Sequence, residues 1–265
     1  MPLNVVTAGD PAKSSILFVH GIGASYLNWQ QQLESELAND FYLVAFDLRG
    51  HGNSGKPWTA DAYTDSRVWA EDIDRIMQAL ALTQPVLVGW SYGTGVVCDY
   101  VRHYGTDRIR GIVLTGAYGG LAPPPSTPPP TALLESMQKN RVLQLSPNPA
   151  DNAKAARFTA RLLTAKVMSP EWYEQTAAVG MMLPGYARRQ MLKHKFEDAD
   201  LLSKIYVPVL FAIGAQDGSM PTAQSAALIA QLPGAKGSVY PDAGHSPFAE
   251  DPQRFNAELR SSESR

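Results

Sequence analysis

Five short runs, at 16–19, 42–46, 86–89, 112–114 and 209–213, consist of β-forming apolar residues without a polar interruption. A strand with one wet face alternates polar and apolar side chains, whereas a strand buried on both faces does not. The runs therefore predict a mostly parallel sheet covered by helices on both sides. Between the second and third runs, Trp69, Ile73, Ile76 and Leu80 recur at steps of three and four, the stripe of a helix lying on such a sheet. Right-handed β-α-β crossovers join the strands. Residues 3–7 are expected to add an antiparallel edge strand, and 237–240 a short last strand before a C-terminal helix at about 252–259. Seven strands fit this pattern as well as eight.

The alternation breaks after Leu114. Residues 122–130 contain six prolines, which fix φ and remove backbone donors, so a stiff non-helical lead-in is expected there. It opens a helix-rich stretch that ends near Leu202, and strand-like sequence resumes at Val207. The expected organisation is a core of residues 1–119 and 203–265 carrying an inserted helical cap at 120–202. Met137, Phe158, Met168, Trp172, Tyr173, Met181, Met182, Leu183 and Tyr186 give this cap its large apolar side chains. Most are expected to pack the cap onto the core, and a few to line a ligand pocket at the interface.

At 265 residues the chain is large enough for one well-filled α/β domain with an insertion. A net charge of −2 gives no electrostatic case for nucleic acid or an anionic membrane surface as partner. No basic N-terminal region precedes a long apolar segment, and the strongest apolar run, at 16–19, is too short to cross a bilayer. The expectation is a soluble cytoplasmic protein, monomeric or homodimeric, with a small-molecule partner. Cys98 is the one cysteine, which precludes an internal disulfide and suits helix packing.

Chemistry concentrates at Gly89-Trp90-Ser91-Tyr92-Gly93, directly after the third run and before a helix-like stretch. A serine on a sharp strand-to-helix turn exposes its Oγ, and the flanking glycines let the turn close. Serine becomes a useful nucleophile only when an imidazole takes its proton. Of the five histidines, His20, His51 and His103 have structural explanations, and His194, between Lys193 and Lys195, reads as part of a solvated basic face. His245 remains, in the loop after the last short strand, where functional loops of a parallel sheet converge. The carboxylate that orients it should come between serine and histidine in the chain. Asp217, after the run at 209–213, fits; no Asp or Glu occurs between Asp107 and Glu135, and the rival Asp242 sits in a Pro-Asp turn that explains it. Oxyanion donors are expected from the backbone N–H of Tyr92 and of Ile22, the latter in the glycine-flexed loop His20-Gly21-Ile22-Gly23.

With these elements in this order the chain resembles the α/β-hydrolase superfamily, in its capped esterase, lactonase and haloperoxidase-like (perhydrolase) branch. The resemblance rests on Val19-His20-Gly21-Ile22-Gly23, on Phe46-Asp47 through Gly52-Asn53-Ser54, on the serine pentapeptide, on Gly214-Ala215-Gln216-Asp217 and on Ala243-Gly244-His245-Ser246-Pro247-Phe248. It fades over the cap. It implies a triad of Ser91, Asp217 and His245, oxyanion donors at Ile22 and Tyr92, and a structural role for the turn at 47–54, with Arg49 and His51 outside the chemistry. Many relatives carry two glycines after the elbow, whereas Thr94 stands here between Gly93 and Gly95 and should crowd the helix start slightly.

Serine at the elbow argues against epoxide hydrolase and haloalkane dehalogenase chemistry, which uses a carboxylate there. Carbon–carbon hydrolases share the serine but carry a first oxyanion loop richer in glycine, with a proline. The expected reaction is hydrolysis of an ester or lactone of a small to medium, mainly apolar substrate, with no metal or organic cofactor. Trp90, Tyr118, Met137, Trp172, Met182 and Phe248 are the expected substrate contacts. Perhydrolysis or carbon–carbon hydrolysis with the same triad is the enzymatic alternative, and a ligand receptor on the same fold is the non-enzymatic one.

Overall fold

A computed structural model of the chain describes residues 1–123 and 131–262. The proline-rich lead-in expected at 122–130 lies outside the described residues from position 124 onward. The strands are β1 (Val5–Ala8), β2 (Ser15–Val19), β3 (Tyr42–Phe46), β4 (Val86–Trp90), β5 (Gly111–Thr115), β6 (Val209–Gly214) and β7 (Lys236–Tyr240). They form one sheet in the order β1-β3-β2-β4-β5-β6-β7, parallel except for the antiparallel pairing of β1 with β3. The described strands thus number seven, with the N-terminal segment as the antiparallel edge. Helices α1 (Gln30–Leu33), α2 (Asp61–Thr64), α3 (Ser66–Ala79) and α4 (Tyr92–Tyr104) come before β5. Helices α5 (Thr131–Gln144), α6 (Pro149–Leu162), α7 (Pro170–Met181) and α8 (Gly185–Met191) form the insertion between β5 and β6. After β6 come α9 (Thr222–Ile229), α10 (Pro247–Glu250) and α11 (Pro252–Ser262).

The unbroken apolar runs are explained by two cores, one on each face of the sheet. Along β2, Leu17 and Val19 enter one cluster with Trp69, Ile73 and Ile76 of α3, while Ile16 and Phe18 enter the other with Trp29, Phe248 and Phe255. Each side chain alternates in direction as a strand requires, and each direction ends in hydrocarbon. Cys98 packs within the first cluster from α4, and burial pushes its thiol well above the usual value.

The order of the central strands creates the crevice. From β2 the chain moves to β3 on one side, then crosses back to β4 on the other. The loops leaving β2 and β4 therefore diverge at the carboxyl end of the sheet, where ligands of open parallel sheets bind.

The turn after β3 braces the first of these loops. Asp47 accepts from the N–H groups of Tyr26 and Asn53, each at 2.9 Å. Leu48 N–H donates to His20 Nε2 and Gly23 N–H to His51 Nε2, again at 2.9 Å each. Both imidazoles are fully buried. Burial holds His20 down at about 4 and His51 well below its usual value, so both rings are neutral acceptors at physiological pH. Arg49 grips Asp72 with two hydrogen bonds, of 2.8 and 2.7 Å, inside the protein.

His194 departs from expectation. Rather than facing water, it is 9% exposed, stacks parallel to Trp69, bonds to the Tyr92 hydroxyl at 2.9 Å and lies 3.4 Å from Asp99. Its lysine neighbours suggested a basic face, but the adjacent Phe196 drives this segment inward onto Gly95, where a Cβ would fall 2.1 Å from the ring. Burial pushes the Asp99 carboxyl up to about 6 despite the opposing pull of His194. Crowding by Thr94 is likewise absorbed, its hydroxyl donating to Ser91 O at 2.6 Å.

Removing one member of a buried, doubly bonded ion pair strands the other. Asp72→Ala is expected to lower stability by about 3–5 kcal/mol. Urea unfolding checks this, and a loss below about 1 kcal/mol would be the range of an exposed pair.

Candidate active site

Ser91 follows β4 and precedes α4, with φ 54° and ψ −119°, a left-handed backbone that a residue with a Cβ adopts only under constraint. Two features impose it. The Ser91 N–H continues the β4–β5 ladder by donating to Thr115 O at 2.9 Å. Two residues on, Gly93 presses so closely on β2 that a Cβ there would fall 2.3 Å from Val19 O. The chain must turn within one residue, and that residue carries the hydroxyl.

His245 and Asp217 meet beside this turn. Asp217, three residues past β6, places Oδ2 at 2.9 Å from His245 Nδ1. Ser219, which sequence reasoning missed, bonds to the second carboxylate oxygen through its N–H at 2.9 Å and its hydroxyl at 2.6 Å. Its Oγ also lies 3.2 Å from His245 Nδ1. Burial alone would push the Asp217 carboxyl up, but His245 and the two Ser219 bonds outweigh it and hold the group below its usual range. The carboxylate is therefore charged and its acceptor orbitals are directed, which leaves His245 Nε2 facing away from Asp217. Asp242, the rival, is exposed.

The histidine loop is tied down from two sides. Trp90 Nε1, next to Ser91 in the chain, donates to His245 O at 2.9 Å. Glu250, also missed, accepts from Gly244 N–H at 2.8 Å, and its other oxygen accepts from Ala165 and Lys166 N–H at 2.7 and 2.9 Å. One buried carboxylate thus joins the histidine loop to the segment between α6 and α7. Ser91 is brought to His245 through Trp90 rather than by a hydrogen bond of its own, and such contacts commonly tighten only with substrate.

The two expected oxyanion donors are open. Ile22 N–H meets no backbone acceptor, and Tyr92, first residue of α4, has none within the helix. Gly21, in the same loop as Ile22, packs against the elbow, a Cβ there falling 3.0 Å from Ser91 Cβ. Among the described residues no group of three or more His, Cys, Asp or Glu side chains is placed to hold a metal ion. No described helix is long and apolar enough to cross a membrane.

Between the insertion and the core lies a cavity of about 40 Å³, bounded on the core side by Ile22, Gly23, Ala24 and Trp90. Of the six expected substrate contacts only Trp90 lines it. Tyr118 and Phe248 belong to the core, the first held by Ser225 Oγ at 2.9 Å and the second packed on Trp29 with ring centroids 4.2 Å apart. Met137 and Met182 are exposed, and Trp172 sits edge-on to Tyr173. The insertion contributes both apolar groups, among them Ala160, Leu163, Met181 and Leu183, and polar ones: Gln144, Asn152, Thr159, Thr176 and Arg188.

With this geometry in place, comparison with known proteins gives a consistent answer. The family described as the α/β hydrolase fold matches residues 15–252. A solved structure from Burkholderia cenocepacia, provisionally described as an aryl esterase, superposes with a TM-score of 0.88 at 33% identity, covering 99% of this chain and 96% of that one. The non-heme chloroperoxidase CPO-A1 of Kitasatospora aureofaciens is 27% identical over 254 residues, 92% of this chain and 90% of that protein. Protein ABHD8 of Bos taurus is 35% identical over 118 residues, 44% of this chain and 27% of that protein, so the match spans about a quarter of its length.

Two outcomes follow from the geometry. Glycine tolerates the backbone of residue 91, so Ser91→Gly should be more stable than Ser91→Ala by about 1 kcal/mol. Equal urea midpoints would show an unstrained turn. The carboxyl of Asp217 is depressed in the folded state. Its stabilising effect is therefore full above the unfolded value of about 4 and is lost as pH falls through the lower folded value. The stability of the parent relative to Asp217→Asn should thus fall progressively as pH drops below about 5. A difference independent of pH would contradict the assignment.

Proposed function

Because the chain belongs to the α/β-hydrolase fold family, matched through residues 15–252, we propose that it is a serine hydrolase that cleaves a carboxylic ester or lactone through an acyl-enzyme. The observation that carries this reading is the 2.9 Å contact of Asp217 with His245 in a loop bonded to the residue before the strained Ser91. Ser91 Oγ attacks the carbonyl carbon while His245 Nε2 takes its proton, and Asp217 stabilises the imidazolium. The oxyanion is received by Ile22 and Tyr92 N–H, donors already in place before charge develops. His245 returns the proton to the leaving alkoxide. Water, deprotonated by the same nitrogen, then attacks the acyl carbon and releases the acid and Ser91.

A second outcome of the same acyl-enzyme is favoured by the end-to-end similarity to a non-heme chloroperoxidase. Hydrogen peroxide replacing water at the last step would yield a peracid, with no change in the residues used.

The test is hydrolysis of a p-nitrophenyl ester series from acetate to decanoate, alongside several lactones, with and without hydrogen peroxide. The parent should turn over short esters, and Ser91→Ala should lose at least about 10⁴-fold in kcat, with a comparable loss in Asp217→Asn. Turnover that survives Ser91→Ala would overturn the proposal. Peracid formation would select the second outcome.

A further inference from the structure

Arg188 of α8 is a buried cation that lacks a counter-charge among the described residues. It is 8% exposed, yet no carboxylate pairs with it among the described residues, and its one protein acceptor is Gly180 O, 3.0 Å from Nη2. The other cations bridging distant parts of the chain differ. Arg49 is paired with Asp72, and Arg102 with Asp198 and Asp200. A guanidinium offers five N–H donors, and a buried charge is ordinarily paired and fully bonded. Burial draws the Arg188 group down only to about 10, which leaves it charged at neutral pH.

The guanidinium also reaches the loop that carries Ile22. It lies over Gly23, where a Cβ would stand 3.1 Å from Nη2 and 3.3 Å from Nη1. Gly23 adjoins Ile22, the assigned oxyanion donor, and Arg188 lines the same cavity of about 40 Å³ as Ile22 and Trp90. One water needs roughly 10–15 Å³ on this measure, so the space suits a group of two or three non-hydrogen atoms. A carboxylate has that size, and its two oxygens match the guanidinium fork. Holding Gly180 O alone would need one donor and no charge.

We propose that Arg188 receives a carboxylate carried by the substrate, so that the ester or lactone cleaved here is an anionic one. The proposal rests on the acyl-transfer reading above and names its substrate class. Gly23 directly follows Ile22 and both line the cavity that Arg188 enters, so the anion would be held close to the scissile carbonyl. A half-ester of a short dicarboxylic acid and a short acyl ester of a hydroxy acid both satisfy this, with the carboxylate on the acyl or the leaving side respectively. An apolar cap predicted a mainly apolar substrate, and Arg188 changes that expectation.

Two measurements test it. In Ser91→Ala protein, calorimetry should find monomethyl glutarate bound at least about 10-fold more tightly than dimethyl glutarate, the range of a charge-assisted bond. Equal binding would overturn the proposal, whatever the turnover results. In the parent, kcat/KM is compared for p-nitrophenyl hemiglutarate against p-nitrophenyl pentanoate, and for acetoxyacetate against ethyl acetate. An anionic preference in the first pair places the carboxylate on the acyl side, and in the second on the leaving side. Arg188→Gln should lower that anionic-to-neutral ratio by about 10- to 100-fold, with partial recovery in Arg188→Lys. An unchanged ratio would make Arg188 a latch between insertion and core. Should Arg188→Gln fail to fold, the calorimetric comparison decides alone. Selective binding of the half-ester without any Ser91-dependent turnover would remove the acyl-transfer reading while leaving the anion site. Ser91-dependent turnover of neutral esters without selective binding would do the reverse.

Discussion

The first turn of α4 is pressed against the end of β2, and the geometry of the site follows from that approach. Gly93 leaves no room for a Cβ between the helix and Val19 O. Because β4 is hydrogen-bonded between β2 and β5, the strand cannot retreat. The turn is therefore closed within Ser91, whose backbone takes a left-handed conformation that costs about 1–3 kcal/mol. The sheet supplies that energy through strands buried on both faces. What the protein gains is a hydroxyl held on a rigid corner at the mouth of the crevice.

Around that corner, order comes from backbone groups captured by buried polar side chains. Neutral His51 fixes Gly23, Asp47 fixes Tyr26, and together they hold the loop that carries Ile22. Glu250 gathers three N–H groups from the histidine loop and the insertion, so a movement of one is felt by the other. Tyr92 contributes its N–H at the elbow and its hydroxyl to His194, which makes the helix start a second point where insertion and core are joined. Each of these side chains bonds to a partner distant in the chain, the pattern expected of a preorganised site. Arg188 stands apart in having a charge and donors to spare.

How much of this was legible in the sequence depended on the distance over which each signal acts. The strands could be read because burial on both faces leaves a local, unbroken apolar run. Ser91, Asp217 and His245 could be picked out because each follows a strand and their chain order is constrained. The side chains that hold them were not legible. Glu250 is recognised through the bond it makes to Ala165, 85 residues away, and His194 through Tyr92, 102 residues away. For the apolar side chains residue type was a weaker guide: Met137 and Met182 of the insertion are exposed, whereas Tyr118 and Phe248, outside it, are core. Apolar character indicates a tendency to be buried but not which surface does the burying. Arg188 gave no local signal, since an arginine beside Arg189 on a short helix reads as surface until its neighbours are known.

The proposed chemistry requires Ser91 to be an activated nucleophile. Exposure of the folded protein to a fluorophosphonate, followed by peptide mass spectrometry, tests it without reference to any substrate. Ser91 should be phosphonylated rapidly and stoichiometrically, and the reaction slowed severely when His245 is replaced by alanine. An unmodified Ser91 in folded protein, or an adduct confined to a different serine, would contradict it.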